Sequence, residues 1–271
     1  MSNKQIVVSV SCYNNEEEVI CFAKQIAEQT INKQILLLIT CNGISRPGML
    51  EEELRKIQLD TRIFYPKRNL GYLNGCLFGI KQLEETIQVK WILISNTDIS
   101  FESNFSLQSI MSLNIGESIW CLAPDILLPS NKKQNPFIQS RPSKEKVRMW
   151  KNIQGNQIGL TIYSKMSNAK KKCINNYNSK GREGYIYAAH GSCFFITYDC
   201  FQELYKVADH IFMYGEEMLV AEIAHKHDKM ILYYPNCVVH HNENSTTRHI
   251  NYKLKSNYYK MSFTYIYDEF F

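Results

Sequence analysis

The run KWILISNTDI, Lys90 to Ile99, limits the fold of this chain more than any other stretch. Trp91, Ile92, Leu93 and Ile94 leave no polar face for water, so the segment reads as a strand buried on both sides. It breaks off at Asn96, Thr97 and Asp98, then makes a second short apolar step. In open α/β sheets, ligands bind beyond the carboxyl ends of the strands. A lone aspartate at such an end suits a divalent cation held against a diphosphate. Asp98 is the first candidate site residue, and a turn or helix-cap aspartate ahead of Phe101 is the competing reading.

The preceding residues supply the rest of such a sheet. Gln5 to Ser11 is apolar and β-branched, Tyr13, Asn14 and Asn15 form a polar turn, and Glu16 to Gln29 is amphipathic at helical spacing. Ile35 to Cys41 is a second buried strand ending in Asn42 and Gly43. Met49 to Gln58 reads as helix, Arg62 to Tyr65 as a short strand, and Leu73 to Glu85 as helix. This alternation predicts an α/β fold with a mostly parallel sheet over the first hundred residues.

A chain of 271 residues is long enough for one large domain with a smaller appendage, and 45% hydrophobic residues with 12 Gly and 7 Pro exclude a disordered chain. The balance of 31 Lys+Arg over 26 Asp+Glu, +5, suits phosphate ligands or an anionic membrane face. It is too mild for nucleic acid without a concentrated basic stripe. Nine cysteines lie scattered, mostly in apolar segments and never as CxxC, which predicts reduced thiols in a cytoplasmic protein, with neither a disulfide framework nor a zinc site. The start, MSNKQIVVSVSCYNNEEE, turns acidic too soon for a signal peptide, and no apolar run is long enough to span a bilayer.

The second half is less regular. Pro129 to Ser143 is polar and Lys/Asn-rich, and the region through Gly184 lacks sustained periodicity, as in a substrate loop or lid, or in a disordered segment. His190 to Tyr198 reads as a strand. In Ile211 to His227, Gly215 precedes Glu216 and Glu217 at the start of a helical pattern. Two acids there complement the helix dipole, and an acid there that faces a crevice beside a polarised hydroxyl can also act as a general base. Met230 to His241 reads as two short strands around Pro235 and Asn236, ending in His240 and His241, which alternation turns to opposite sides. From Arg248 to Lys260 basic residues interleave with Tyr252, Tyr258 and Tyr259. That pattern fits a helix at a membrane interface or one packed on the core or on another subunit.

Seven stretches in order resemble the family 2 glycosyltransferases of GT-A fold, and within them the rhamnosyl- and capsular-polysaccharide-type sugar transferases. They are VSVSCYNNEE from Val7, CNGIS from Cys41, KRNLGYLNGCLFGI from Lys67, ISNTDI from Ile94, HGSCFFI from His190, FMYGEE from Phe212 and YPNCVVHH from Tyr234. The resemblance runs through nearly the whole chain and implies a Rossmann-like, mostly parallel central sheet flanked by helices. Its parts are a donor-binding half (1–128), an acceptor-side and catalytic half (129–247) and a C-terminal basic and aromatic helical tail (248–271).

What the resemblance implies falls on particular residues. Tyr13, Asn14 and Glu16 border the nucleotide base, and Asn42 lies near base or ribose. Asn69, Gly71 and Asn74 are donor-site positions, and Ser11, Asn96, Thr97, His190 and Gly191 extend the same donor site. Asp98 is the acidic member of the metal triplet, Glu217 with Glu216 stands at the catalytic position, and His241 or His240 is the histidine near metal and diphosphate. The implied ligands are Mn²⁺ or Mg²⁺ and a nucleoside-diphosphate sugar, and the implied acceptor is a glycan or lipid-linked glycan. The expected reaction is inverting transfer to a surface-glycan hydroxyl (capsule, O-antigen or lipopolysaccharide). The expected location is the cytoplasm, with peripheral contact at the inner membrane face through the tail and scope for a homo-oligomer. Three departures stand out: Cys41 replaces a customary Asp, Asn96 opens the metal triplet, and Glu217 is longer than the customary Asp. They make a catalytically impaired sugar-nucleotide-binding or assembly subunit the alternative. A nucleotidyltransferase is weaker still, because CYNNEEE stands where a glycine-rich basic phosphate loop would be.

Overall fold

A computed structural model describes residues 5–83, 89–163, 183–243 and 251–271. Glu85, the 164–182 part of the irregular segment and Arg248 lie outside the described residues. The first half follows the predicted alternation: β1 (Ile6–Tyr13), α1 (Glu16–Ala27), β2 (Ile35–Gly43), α2 (Pro47–Arg55), β3 (Asp60–Phe64), α3 (Tyr72–Lys81) and β4 (Trp91–Ser95). These four strands pair in parallel, in the order β3-β2-β1-β4.

Side chains alternate across this sheet, and both faces are covered. Val7, Leu36, Leu38, Ile92 and Ile94 face the core shared with α3. Ile6, Val8, Val10, Leu37, Ile39 and Leu93 face the one shared with α1 and α2. Each buried aliphatic side chain contributes roughly 1.5–3 kcal/mol, which is why continuous apolar runs, not alternating ones, make these strands. Leu93→Ala would remove that contribution and leave a cavity, at a cost of about 2–5 kcal/mol.

Past β4 the sheet changes direction. β8 (Cys193–Ile196) pairs antiparallel with β4 and with β6 (Ile119–Leu127), and β9 (Met230–His241) runs parallel to β6. The short β5 (Ile99–Phe101) pairs antiparallel with the end of β9, and β7 (Gly184–Ile186) with its beginning. The expected pair of strands around Pro235 is one strand with a bulge. Pro124 lies opposite Tyr234 and Asp125 opposite Val238, so Pro235, Asn236 and Cys237 are extra on one side, where a missing N–H is harmless.

The strand expected over His190 to Tyr198 is shorter than its apolar pattern, because Thr197 Oγ1 accepts the Cys200 N–H at 3.3 Å and caps α6 (Tyr198–Tyr205). Within the irregular segment, Ser143 caps a helix that the pattern did not announce, α5 (Lys144–Gln154). Only Val147 and Gln154 of α5 are buried, and so narrow an apolar stripe is lost among its charges. The short α4 (Ser106–Met111) follows β5, and two later helices, α7 (Glu216–Lys226) and α8 (Tyr252–Phe270), bury Leu219 and Ile266 in the α3-side core. No helix among the described residues is long and apolar enough to cross a membrane.

Candidate active site at the carboxyl ends of the strands

The β4–β5 turn and the end of β9 meet. Asn96 N–H donates to Ser192 C=O at 2.8 Å, fixing the turn, and β5 then pairs Ile99 with His241 while Asn242 N–H donates to Asp98 C=O at 3.0 Å. This register brings His241 Nε2 to 3.3 Å from Asp98 Oδ1, with both residues under a tenth exposed. Neither His241 Nε2 nor Asp98 Oδ2 has a hydrogen-bond partner. On its other side His241 Nδ1 lies 2.7 Å from Gln134 Oε1. His240, opposite Ser100, turns away and meets Glu102 at 3.2 Å. Of the two histidines the sequence left open, His241 is therefore the one that faces Asp98.

A carboxylate oxygen and an imidazole nitrogen, buried together with polar atoms unused, fit a cation such as Mn²⁺ or Mg²⁺. Among the described residues no three His, Cys, Asp or Glu side chains converge. The remaining coordination positions would go to water and to ligand oxygens, as is usual for Mg²⁺ at phosphate sites.

The expected donor-side residues lie along the same edge, many of them tied to one another. Tyr13 is 47% exposed, and Asn14 adopts φ 54° with its Oδ1 accepting from Ser45 Oγ at 2.8 Å. Asn15 Nδ2 donates to Thr97 Oγ1 at 2.7 Å and to Glu18 Oε2 at 3.2 Å, linking the first loop to the Asp98 turn. Glu16 is turned inward. Its Oε1 accepts from Ser45 N–H at 2.6 Å and Arg46 N–H at 2.8 Å. Burial raises its pKa, but these backbone donors and its own N–H outweigh that and hold it below the ordinary range. Asn42 Nδ2 donates to Ser11 Oγ at 2.7 Å and Gly71 C=O at 2.6 Å, while its Oδ1 accepts from Leu70 N–H. Asn69 Oδ1 accepts Gly71 N–H at 2.8 Å, and Asn74 Nδ2 donates to Ile211 C=O at 2.7 Å. Gly71 has φ 81°, and a Cβ there would fall 1.9 Å from Phe212 C=O, so the Asn69–Gly71 loop rests directly on the segment leading to α7. Cys41, buried opposite Cys12 on β1, supplies no carboxylate at this strand end. The neighbouring Cys12 thiol and burial hold its pKa well above the ordinary thiol range.

The second pole is acidic. Tyr214 is left-handed, φ 63°, ahead of Gly215, and this turn aims Glu216 and Glu217 at the His190–Ser192 turn. A Cβ on Gly191 would meet Glu217 Oε1 at 2.9 Å, so the carboxylate packs directly on this glycine and would have to shift to admit a side chain. Glu216 is 9% exposed, and its Oε2 is unpartnered. Burial, then the Glu217 charge, push the Glu216 pKa up to about 8. Burial also raises that of Glu217, partly offset by backbone N–H groups, its own and those of Gly191 and Gly215. The same turn touches the first pole: the His190 ring lies 6.1 Å from the His241 ring, and Tyr72 Oη donates to Gly191 C=O at 2.9 Å.

α8 walls the acidic pole. Tyr214 stacks on Tyr259 at 4.6 Å, and Lys255, its pKa lowered by burial, lies 4.9 Å from the Tyr214 ring. Sequence reasoning missed Gln134 and Asn135. Asn135 Oδ1 accepts His190 N–H at 2.9 Å and its Nδ2 donates to Pro124 C=O at 2.8 Å. Both residues sit in a run where polar residues are the rule, so no pattern marks them.

No family model matches the chain, and no curated protein matches it in sequence. Solved structures do. The mannosyltransferase PcManGT from Pyrobaculum calidifontis, in complex with GDP-Man and Mn²⁺, aligns over 87% of this chain and 56% of its own, at 9% identity and a TM-score of 0.53. GalNAc-T7 with UDP, GalNAc and Mn²⁺ aligns over 91% and 46%, at 12% identity and a TM-score of 0.58. S. aureus TarS aligns over 88% and 60%, at 12% identity and a TM-score of 0.54. The chain thus spans roughly half of each of these proteins, and the likeness is one of fold. The chain has the α/β GT-A fold.

Proposed function

We propose that the chain is a metal-assisted, inverting glycosyltransferase that moves a sugar from a nucleoside-diphosphate sugar to a hydroxyl of a surface glycan, of the capsule, O-antigen or lipopolysaccharide kind. One observation carries this reading: two distinct polar clusters flank a single turn, with Asp98 and His241 beside His190 and Glu217 packed on Gly191. The Mn²⁺ and nucleotides bound by PcManGT and GalNAc-T7 support the same class of ligands here.

Asp98 and His241 would hold the cation, which when bound neutralises charge on the departing diphosphate. Tyr13 and Asn14 lie open at the base end, and the loop from Asn69 to Asn74 backs the sugar. With Glu216 pushed up to about 8, that residue keeps its proton near neutral pH. Glu217, with backbone N–H groups turned to it, is then the ionised member of the pair. Glu217 takes the proton of the acceptor hydroxyl as its oxygen attacks the anomeric carbon. One displacement inverts the configuration. Tyr214, Tyr259 and Lys255 flank the acceptor, and the exposed Tyr252, Leu254 and Met261 of α8 support contact with a membrane that presents a lipid-linked acceptor.

The test is release of nucleoside diphosphate from a panel of sugar nucleotides with Mn²⁺, with and without glycan acceptors. Turnover with one donor that Glu217→Gln abolishes supports transfer. Binding of a donor without turnover under any condition would instead favour a sugar-nucleotide-binding subunit.

A further inference from the structure

The tautomer of His241 follows from a chain of three side chains. Glu243, as a carboxylate, only accepts hydrogen bonds, and Gln134 Nε2 donates to its Oε1 at 3.4 Å. That contact turns Gln134 Oε1 toward His241, 2.7 Å from Nδ1. A carbonyl oxygen donates nothing, so the proton between the two belongs to Nδ1. Gln134 is itself anchored, its N–H donating to Ile126 C=O at 2.9 Å at the end of β6. The neutral ring then carries its lone pair on Nε2, the unpartnered atom 3.3 Å from Asp98 Oδ1.

We propose that Gln134, backed by Glu243, is the positioning residue of the cation site: it holds the Nδ1 proton of His241 and so presents the Nε2 lone pair beside the Asp98 carboxylate. The inference rests on the reading that Asp98 and His241 hold a divalent cation. Outer partners of this kind fix ring orientation and raise the basicity of a ligating imidazole. They give a role to the polar Gln–Glu pair that stands behind a histidine the strand has already buried. The segment that reads from sequence as a substrate loop or lid, or as disordered, thus serves at Gln134 as a brace.

Two measurements test the role. In full-length protein labelled with ¹⁵N-histidine, long-range proton–nitrogen spectra, assigned with His241→Gln, are expected to show a proton on Nδ1 of His241 with and without Mg²⁺. That signature is expected to vanish in Gln134→Leu. Mn²⁺ binding, followed by electron paramagnetic resonance with inorganic pyrophosphate as the diphosphate probe, is expected to weaken about 10- to 100-fold in Gln134→Leu. The exchange Gln134→Glu with Glu243→Gln reverses the hydrogen bond between the two but keeps an acceptor facing His241 Nδ1, and is expected to restore binding. A wild-type His241 protonated only on Nε2 overturns the proposal, as does wild-type Mn²⁺ affinity in a folded Gln134→Leu. A wild type that binds no Mn²⁺ with pyrophosphate overturns the metal reading instead, and the Nδ1 signal still decides the role of Gln134.

Discussion

Removing Arg141 would expose how firmly the acidic helix is held. Glu222, in the middle of α7, has a side chain only 1% exposed. Arg141 grips it with a fork, Nε at 3.0 Å and Nη2 at 2.9 Å, and the Tyr187 hydroxyl donates to the same carboxylate. The guanidinium also donates to Phe270 C=O at 2.8 Å and lies 4.3 Å from the Phe271 ring, so one side chain joins the irregular segment, α7 and the end of α8. Breaking a buried pair from one side costs about 3–5 kcal/mol, because the remaining charge is left without compensation. Tyr187 still donates to Glu222, and Arg141 is 37% exposed, so water reaches the gap and the lower half of that range is expected. The assay is equilibrium urea unfolding followed by tryptophan fluorescence. Arg141→Ala should lower the midpoint by the equivalent of about 3 kcal/mol at unchanged slope. Adding Glu222→Gln should recover much of the loss, since the stranded charge is gone. A loss under about 1 kcal/mol, the range of an exposed ion pair, would refute the argument, as would a double variant no more stable than Arg141→Ala.

Glu217→Gln should lower turnover roughly 10²- to 10⁴-fold while leaving stabilisation by donor and Mn²⁺ in place, checked by pairing product release with thermal unfolding. The Glu216 pKa is raised on folding, so its contribution to stability is fully present below the unfolded value near 4.5 and is lost as pH rises through about 8. Glu216→Gln should therefore gain stability over the wild type at pH 8.5 and not at pH 5, and an advantage of the wild type that grows with pH would contradict this. Gly71→Ala places a Cβ 1.9 Å from Phe212 C=O at a φ of 81°, and should destabilise by more than the roughly 1–3 kcal/mol of backbone strain alone, read by calorimetry.

The first half was legible in the sequence because its strands are buried on both faces, and a continuous apolar run such as Ile35 to Cys41 has few other uses. Asp98 stood out because its polar turn interrupts one of those runs. Which histidine joins it was not legible. One residue of register in the β5–β9 ladder exchanges His240 for His241, and only the pairing of Ile99 with His241 sets it. Gln134 and Asn135 act through single hydrogen bonds from a loop, and Arg141 reaches Glu222 from 81 residues away in sequence, so periodicity could mark none of them. The bulge at Pro235 was hidden for a related reason: proline usually ends a strand, and here a bulge within β9 itself absorbs it.

Thermal unfolding of the wild type and Asp98→Asn against a panel of nucleoside diphosphates and their sugars, each with Mn²⁺, Mg²⁺ or EDTA, tests the central claim most directly. A ligand at about 100 times its dissociation constant stabilises by roughly 2.7 kcal/mol, well within reach of the method. The account predicts a shift with one nucleotide that needs the cation and is lost in Asp98→Asn. No shift with any nucleotide, or one indifferent to EDTA and to Asp98, would contradict it.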